Sequence, residues 1–181
     1  MNSEYFKLVI TGSVNSGKTT LIRTVSEIEP ITTDEWATEE SVLAQKSLTT
    51  VAMDYGRRTI TDDVVLHLYG TPGQARFDFM WDVLVEGAFG VIFLADSTDM
   101  ESIDNTSKIV DHFRARQSLP YLLCITKLDL PDSLGYDETM QRLSHPEIIA
   151  MPCNTTDKED VKIALITLLT LAIDEAEAET A

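Results

Sequence analysis

Basic residues are scarce in this chain: 14 Lys and Arg stand against 30 Asp and Glu, a formal net charge of −16. Nucleic acid is thereby excluded as a partner, because phosphate contacts need clustered Lys and Arg, and so is unaided docking on anionic lipid. The acidity reads first as solubility and second as attraction to a basic partner. Cysteine is nearly absent as well. Cys124 and Cys153 lie far apart, each in or beside an apolar run, without metal-ligand spacing, so they predict reduced thiols of a cytoplasmic protein. Long hydrophobic runs are missing: the longest uncharged apolar one, Ile163 to Ile173, has 11 residues, against about 20 for a bilayer span. The opening Met1-Asn2-Ser3-Glu4 carries neither a signal peptide nor a myristoylation glycine. The acidic stretch Glu175–Ala181 holds no cysteine for a prenyl group, so no intrinsic membrane anchor is expected.

What remains is an ordinary globular composition, 44% hydrophobic and 24% charged over 181 residues, enough for one domain spanning 1–181 with a core that needs no disulfide. Strand-like runs cover Tyr5–Thr11, Val51–Thr59, Val64–Tyr69, Gly90–Ala95, Tyr121–Thr126 and Ile148–Cys153. Several are continuously apolar, as in a largely parallel sheet buried on both faces. The second and third are close enough to pair as an antiparallel hairpin. Helical periodicity fills Lys18–Ile28, Arg76–Gly87, Ile103–Gln117, Asp137–Leu143 and Asp157–Ala176, the last behind a capping-box pattern, Thr156-x-x-Glu159. The stretch Glu29–Leu48 has no clear period and is long for a connection. The expectation is an α/β three-layer fold, a six-stranded, mostly parallel sheet with helices on both faces.

Between the first strand and first helix stands Gly12-Ser13-Val14-Asn15-Ser16-Gly17-Lys18-Thr19, the G-x-x-x-x-G-K-[ST] pattern of a phosphate-binding P-loop. Glycines let the backbone curl so that its N–H groups converge, and the helix that follows presents its positive end to an anion. Lys18 can reach the β- and γ-phosphates, and the Thr19 hydroxyl can ligate Mg²⁺. Asn15, Ser16 and Thr20 belong to the same cradle.

Two further loops sit at the carboxyl ends of strands, where such sheets bind ligands. In Gly70-Thr71-Pro72-Gly73-Gln74 the Gly73 N–H can bond a γ-phosphate and Gln74 can orient a water for in-line attack. In Thr126-Lys127-Leu128-Asp129 the Asp129 carboxylate can accept from both the ring N–H and the exocyclic amine of guanine, a pair adenine cannot supply together. The Lys127 stem can cover the base.

A P-loop, a threonine before the second strand, T-P-G-Q and T-K-x-D in this order resemble a Ras-superfamily small GTPase along essentially the whole chain. The wording Thr49-Thr50-Val51-Ala52-Met53-Asp54-Tyr55-Gly56 and Gly70-Thr71-Pro72-Gly73-Gln74-Ala75-Arg76-Phe77 is similar to prokaryotic MglA-like and conservon-type members. The resemblance implies a P-loop NTPase fold, GTP or GDP as ligand, Mg²⁺, and catalysis by Gln74 with Lys18. It implies that Thr50, with Thr49 as the alternative, closes over Mg²⁺ and the γ-phosphate, joining Thr19 as a metal ligand. Cys153-Asn154-Thr155 then replaces the family's guanine loop. Activator or exchange proteins, roadblock-domain regulators among them, are the implied partners.

Two residues depart from the family pattern. Gly70 stands where most members carry the Asp that braces Mg²⁺ through water, which makes Asp54 on the neighbouring strand a candidate to complete the shell. Val14 occupies a position where many have Gly and can crowd the glutamine and its water. Slow intrinsic hydrolysis with a helper protein is the expectation, and a nucleotide-loaded scaffold with little turnover is the alternative. A P-loop kinase is disfavoured, since the arginines are scattered rather than gathered in a lid. On the helix after Gln74, Phe77, Trp81, Leu84 and Ala88 share a core-like face, while Phe79 and Val83 fall opposite. Phe79 is either an exposed partner anchor or covered by a loop; Arg76 stays unassigned. His67, His112 and His145 share no spacing suited to metal or triad chemistry.

Overall fold

The computed structural model describes residues 4–32, 53–73 and 79–180. Its strands are β1 (Glu4–Gly12), β2 (Ile31–Thr32), β3 (Asp54–Thr61), β4 (Val64–Gly70), β5 (Gly90–Asp96), β6 (Tyr121–Thr126) and β7 (Ile149–Pro152). The helices are α1 (Lys18–Val25), α2 (Phe79–Val85), α3 (Met100–Arg114), α4 (Tyr136–Leu143) and α5 (Lys158–Thr180). One sheet runs in the order β2-β3-β4-β1-β5-β6-β7. Pairing is parallel from β4 across to β7, and β3 runs antiparallel to both β2 and β4. The expected hairpin is therefore present, closed by Asp62-Asp63. A seventh strand joins the expected six: Ile31–Thr32 adds two residues to the edge.

Alternation along the strands sorts the core into two layers. Leu8, Ile10, Leu66, Leu68, Ile92, Leu94 and Leu122 face α1 and α5. Val9, Val91, Phe93, Ala95, Leu123 and Ile125 face Trp81 of α2 and the apolar side of α3. Both faces of β1, β5 and β6 are thus covered, which explains their unbroken apolar runs. Trp81, Leu84 and Ala88 are buried and Val83 is 60% exposed; Phe77, Arg76 and the side chain of Phe79 lie outside the described residues.

Element ends follow local chemistry. The first helix stops at Val25 rather than Ile28, because Ser26 turns extended and its hydroxyl donates to Ile28 O while accepting from Arg57 N. Glu27 is then tied to β3, accepting from Arg57 Nε at 2.8 Å and from the Thr59 N–H and hydroxyl at 3.1 and 2.8 Å. Helix α3 begins at Met100, ahead of the expected Ile103, because the Asp99 carboxylate accepts from Glu101 N and Ser102 N. At α5 the capping reading is corrected by one residue. Asp157 Oδ1 accepts from Glu159 N at 2.8 Å and Asp160 N at 3.1 Å, whereas Thr156 donates its hydroxyl to Asn154 Oδ1.

Two measurements check these ends. Asp157→Ala should cost about 1 kcal/mol in urea unfolding and Thr156→Ala distinctly less. The hydrogen bonds from Arg57 and then Thr59 hold the Glu27 carboxyl at about 2, below its ordinary 4.5. A lowered folded value means the tie stabilises fully above the ordinary value and is lost as pH falls through about 2. Glu27→Gln should therefore flatten the acid side of a pH–stability curve, modestly because the pair is solvated.

Candidate nucleotide site

The site gathers where β1, β4, β5 and β6 end. Gly12 leaves β1 at φ 146°, and a methyl group there would stand 2.3 Å from Leu94 O of β5, so only glycine passes. Asn15 turns left-handed at φ 61°, and Gly17 opens α1 at φ 105°, with Thr155 Oγ1 2.9 Å from where its Cβ would be. Neighbours pin this loop from two sides. Thr126 donates its hydroxyl to Ser16 O at 3.0 Å, and Ser13 N donates to Thr106 Oγ1 at 3.4 Å. Lys18 is buried and folds inward, donating from Nζ to Gly12 O at 3.0 Å and Ser13 O at 2.5 Å.

The loop after β4 lies against the same cradle. Thr71 N donates to Ile10 O and the Thr71 hydroxyl to Thr11 Oγ1. A methyl at Gly73 would sit 2.7 Å from Val14 N and 2.8 Å from Lys18 Nζ. Val14 itself is 46% exposed. Gln74, Thr49 and Thr50, the proposed catalytic and switch residues, lie outside the described residues, as do 33–48 of the aperiodic stretch.

Asp54 and Gly70 are Cα partners across the β3–β4 hairpin. The Thr19 hydroxyl donates to Asp54 Oδ2 at 2.5 Å, and a Cβ at Gly70 would press on Asp54 Cβ at 3.0 Å and Oδ2 at 3.3 Å. The glycine thus leaves room for a buried carboxylate from the adjacent strand. Among the described residues no group of three or more His, Cys, Asp or Glu is arranged to hold a metal. Mg²⁺ needs no such cage: one or two protein ligands suffice beside phosphate and water.

Beside the cradle opens a cleft of about 510 Å³. Asn15, Gly17 and Thr20 form one wall, Lys127 and Asp129 another, and Asn154 with Thr156 a third. Lys127 adopts φ 60° and its ammonium pairs with Asp96 Oδ2 at 2.5 Å. Asp96 was not among the residues singled out above; an acid closing an all-apolar strand was the available signal. Burial opposes its charge, but hydrogen bonds from Lys127 and Thr98 hold its carboxyl below the ordinary aspartate value. Thr155, named above only as part of the loop replacing the guanine loop, packs on Gly17 and accepts through its carbonyl from the Thr24 hydroxyl.

Cys153 is not among the residues lining the cleft: its N–H donates to Ile125 O and its side chain lies in the core beside the Cys124 thiol. That contact, with burial, pushes the Cys124 thiol up. Asn154 does line the cleft, although its N–H donates to Asp160 Oδ2 and its Oδ1 accepts from Thr156.

Fold and site together define a P-loop nucleotide-binding protein. A family profile described as a conserved hypothetical ATP binding protein matches residues 28–178, starting beyond the P-loop. An uncharacterized protein of Methanocaldococcus jannaschii is 32% identical over 132 residues, 73% of this chain and 76% of its own. GTP-binding protein YPTM1 of Zea mays is 26% identical over 171 residues, 90% of this chain and 76% of its own. The gliding-motility protein MglA of Myxococcus xanthus is 32% identical over 89 residues, 45% of this chain and 46% of its own. The chain belongs to the profiled family, and it resembles Ras-superfamily small GTPases and MglA-like proteins. Among the described residues no helix is long and apolar enough to cross a membrane.

Substitution at the cradle separates its two glycines. Gly12→Ala should cost about 2–3 kcal/mol in chemical unfolding, since a carbonyl blocks the methyl, and Gly17→Ala about 1 kcal/mol, since there the left-handed backbone is strained but the nearest atoms belong to a side chain, Thr155.

Proposed function

We propose that this chain is a guanine-nucleotide switch that binds GTP or GDP with Mg²⁺ and hydrolyses GTP slowly until an activator assists. The observation that carries this reading is one cleft shared by P-loop residues Asn15, Gly17 and Thr20 and by Lys127 and Asp129. Phosphates would lie on the convergent N–H groups before α1 with Lys18 beside them, and the base would reach Asp129. The profiled family is described as ATP-binding, but a carboxylate at the base position accepts guanine's two donors and has only one amine to take from adenine. Asn154 and Thr156 close the base side, and Gly73 stands at the γ-phosphate side.

Thr19 would ligate Mg²⁺, and Asp54, already bonded to the Thr19 hydroxyl, would replace the carboxylate that Gly70 lacks. Thr50 as the second switch ligand and Gln74 as the water-orienting residue complete the scheme by family resemblance. The γ-phosphate would hold both loops, and its loss would release them. Activator or exchange proteins, roadblock-domain regulators among them, are the proposed partners. The half-exposed Val14 beside the Gly73 approach supports slow turnover, and it also favours the second reading, a nucleotide-loaded scaffold.

Four measurements decide. Nucleotide released from purified protein should chromatograph as GDP or GTP; adenine nucleotide alone would overturn the role given to Asp129. Lys18→Ala should abolish retention. Asp54→Asn should raise the Mg²⁺ concentration needed for tight binding about 10- to 100-fold while leaving the fold intact. Single-turnover hydrolysis with and without an activator separates switch from scaffold.

A further inference from the structure

We propose that Asp96 is a positioning residue for base recognition, acting through Lys127 to aim Asp129. Asp96 closes β5, is 3% exposed, and divides its oxygens between two duties. Oδ1 accepts from Thr98 N at 2.9 Å and the Thr98 hydroxyl at 2.6 Å, which fixes the turn into α3. Oδ2 is left for Lys127 Nζ at 2.5 Å. The lysine side chain is one-third exposed while its partner is 4% exposed, so the pair runs from the core wall to the lip of the cleft.

Lysine has a long flexible stem, and a free ammonium would leave it to sample solvent. Anchored at its tip on a buried carboxylate, the stem has a single course, and its ordering cost is met before any ligand arrives. The backbone above it is constrained too. Lys127 holds φ 60°, a region uncommon for a residue with a side chain, and Leu130 N donates to Lys127 O at 3.1 Å to close a turn around Leu128 and Asp129. With both tip and turn held, Asp129 has a fixed aim into the cleft.

Ser97 secures the rest of this loop. Its hydroxyl donates to Thr126 O at 2.8 Å and lies 2.8 Å from Ser133 Oγ, and its carbonyl accepts from Leu134 N at 2.9 Å. The Asp96-Ser97 step thus grips Lys127 at its tip and the recognition loop at both its ends. No polar group of Asp96 faces the cleft directly. Its influence on the base runs through Lys127, which makes it a positioning residue rather than a ligand.

The proposal rests on the guanine reading above, and the test separates the two. Asp96→Asn, Lys127→Met and the double variant are compared in the full chain by dissociation of fluorescent GDP and by the affinity ratio of GDP to IDP, which lacks the exocyclic amine. Asn keeps the shape and the Thr98 bonds, so only the ion pair is removed; Asp96→Ser is the second variant and carries the same expectation. Each single change should speed GDP release about tenfold and lower the GDP/IDP ratio, and the double variant should match Lys127→Met within about twofold. Multiplied losses in the double variant, an unchanged ratio in Asp96→Asn, or failure of both Asp96 variants to fold would overturn the proposal. Wild-type protein that holds ADP but not GDP would overturn the guanine reading instead. The cycle is then run on ADP release, where the same lack of additivity is expected and additive losses overturn the pair's role.

Discussion

Lys18 turns back over its own loop to donate to the carbonyls of Gly12 and Ser13, and residues from elsewhere in the chain hold that loop in place. Leu94 of β5 blocks it from below, Thr126 of β6 holds Ser16, Thr106 of α3 meets Ser13, and Thr155 fills the space beside Gly17. Two strands, one helix and the loop before α5 therefore converge on one short turn. An ammonium buried in this way is stable because carbonyl oxygens receive it. On the proposed reading a phosphate would meet the N–H groups of this same turn and the Lys18 ammonium, so the packing that stabilises the turn also shapes the cradle. The parallel order of β4, β1, β5 and β6 brings those elements to one edge.

The exchange of a carboxylate between strands shows how register carries chemistry. In an antiparallel pair, directly opposed residues place their side chains on the same face. Asp54 and Gly70 are so opposed, and a side chain at position 70 would crowd both Asp54 and Ile22 Cδ1. The glycine therefore leaves the Asp54 carboxylate its space beside Thr19, an arrangement that depends on the hairpin running without slippage from Thr59 to Asp54. The irregularity between Thr59 and Thr61 lies at the far end, where it disturbs nothing.

Much of this was legible from residues alone. Leu8, Val9 and Ile10 form an apolar triplet that only a strand covered on both faces can bury, and the Gly-Lys-Thr of the cradle announces its helix. Less legible were features decided by neighbours distant in sequence. Ile28 continues the helical period of α1, yet Glu27 is claimed by Arg57 and Thr59, and the chain peels away to the sheet edge. Ile31–Thr32 is too short to show a period. Thr156 and Asp157 are adjacent acceptors, and which one caps α5 depends on Asn154 taking the threonine. Cys153 was assigned to the base loop by position, but its N–H completes a ladder with Ile125 that no local pattern discloses. Asp96 stood unread because its partner is a lysine 31 positions away.

A chain of net charge −16 that holds a polyphosphate faces an electrostatic demand of its own. On the proposed reading, the ligand brings several negative charges to a site whose basic groups are Lys18 and Lys127, and the second is already neutralised by Asp96. Asp54 adds another negative charge on the Thr19 side. Convergent N–H groups and the start of α1 supply partial positive charge, yet a carboxylate beside a γ-phosphate repels it unless a cation stands between them. On that reading a divalent ion would be a requirement of the residues rather than an accessory: Asp54 would then belong to its shell instead of opposing the ligand, while Lys127, spared from phosphate duty by its buried partner, would be left to serve the base.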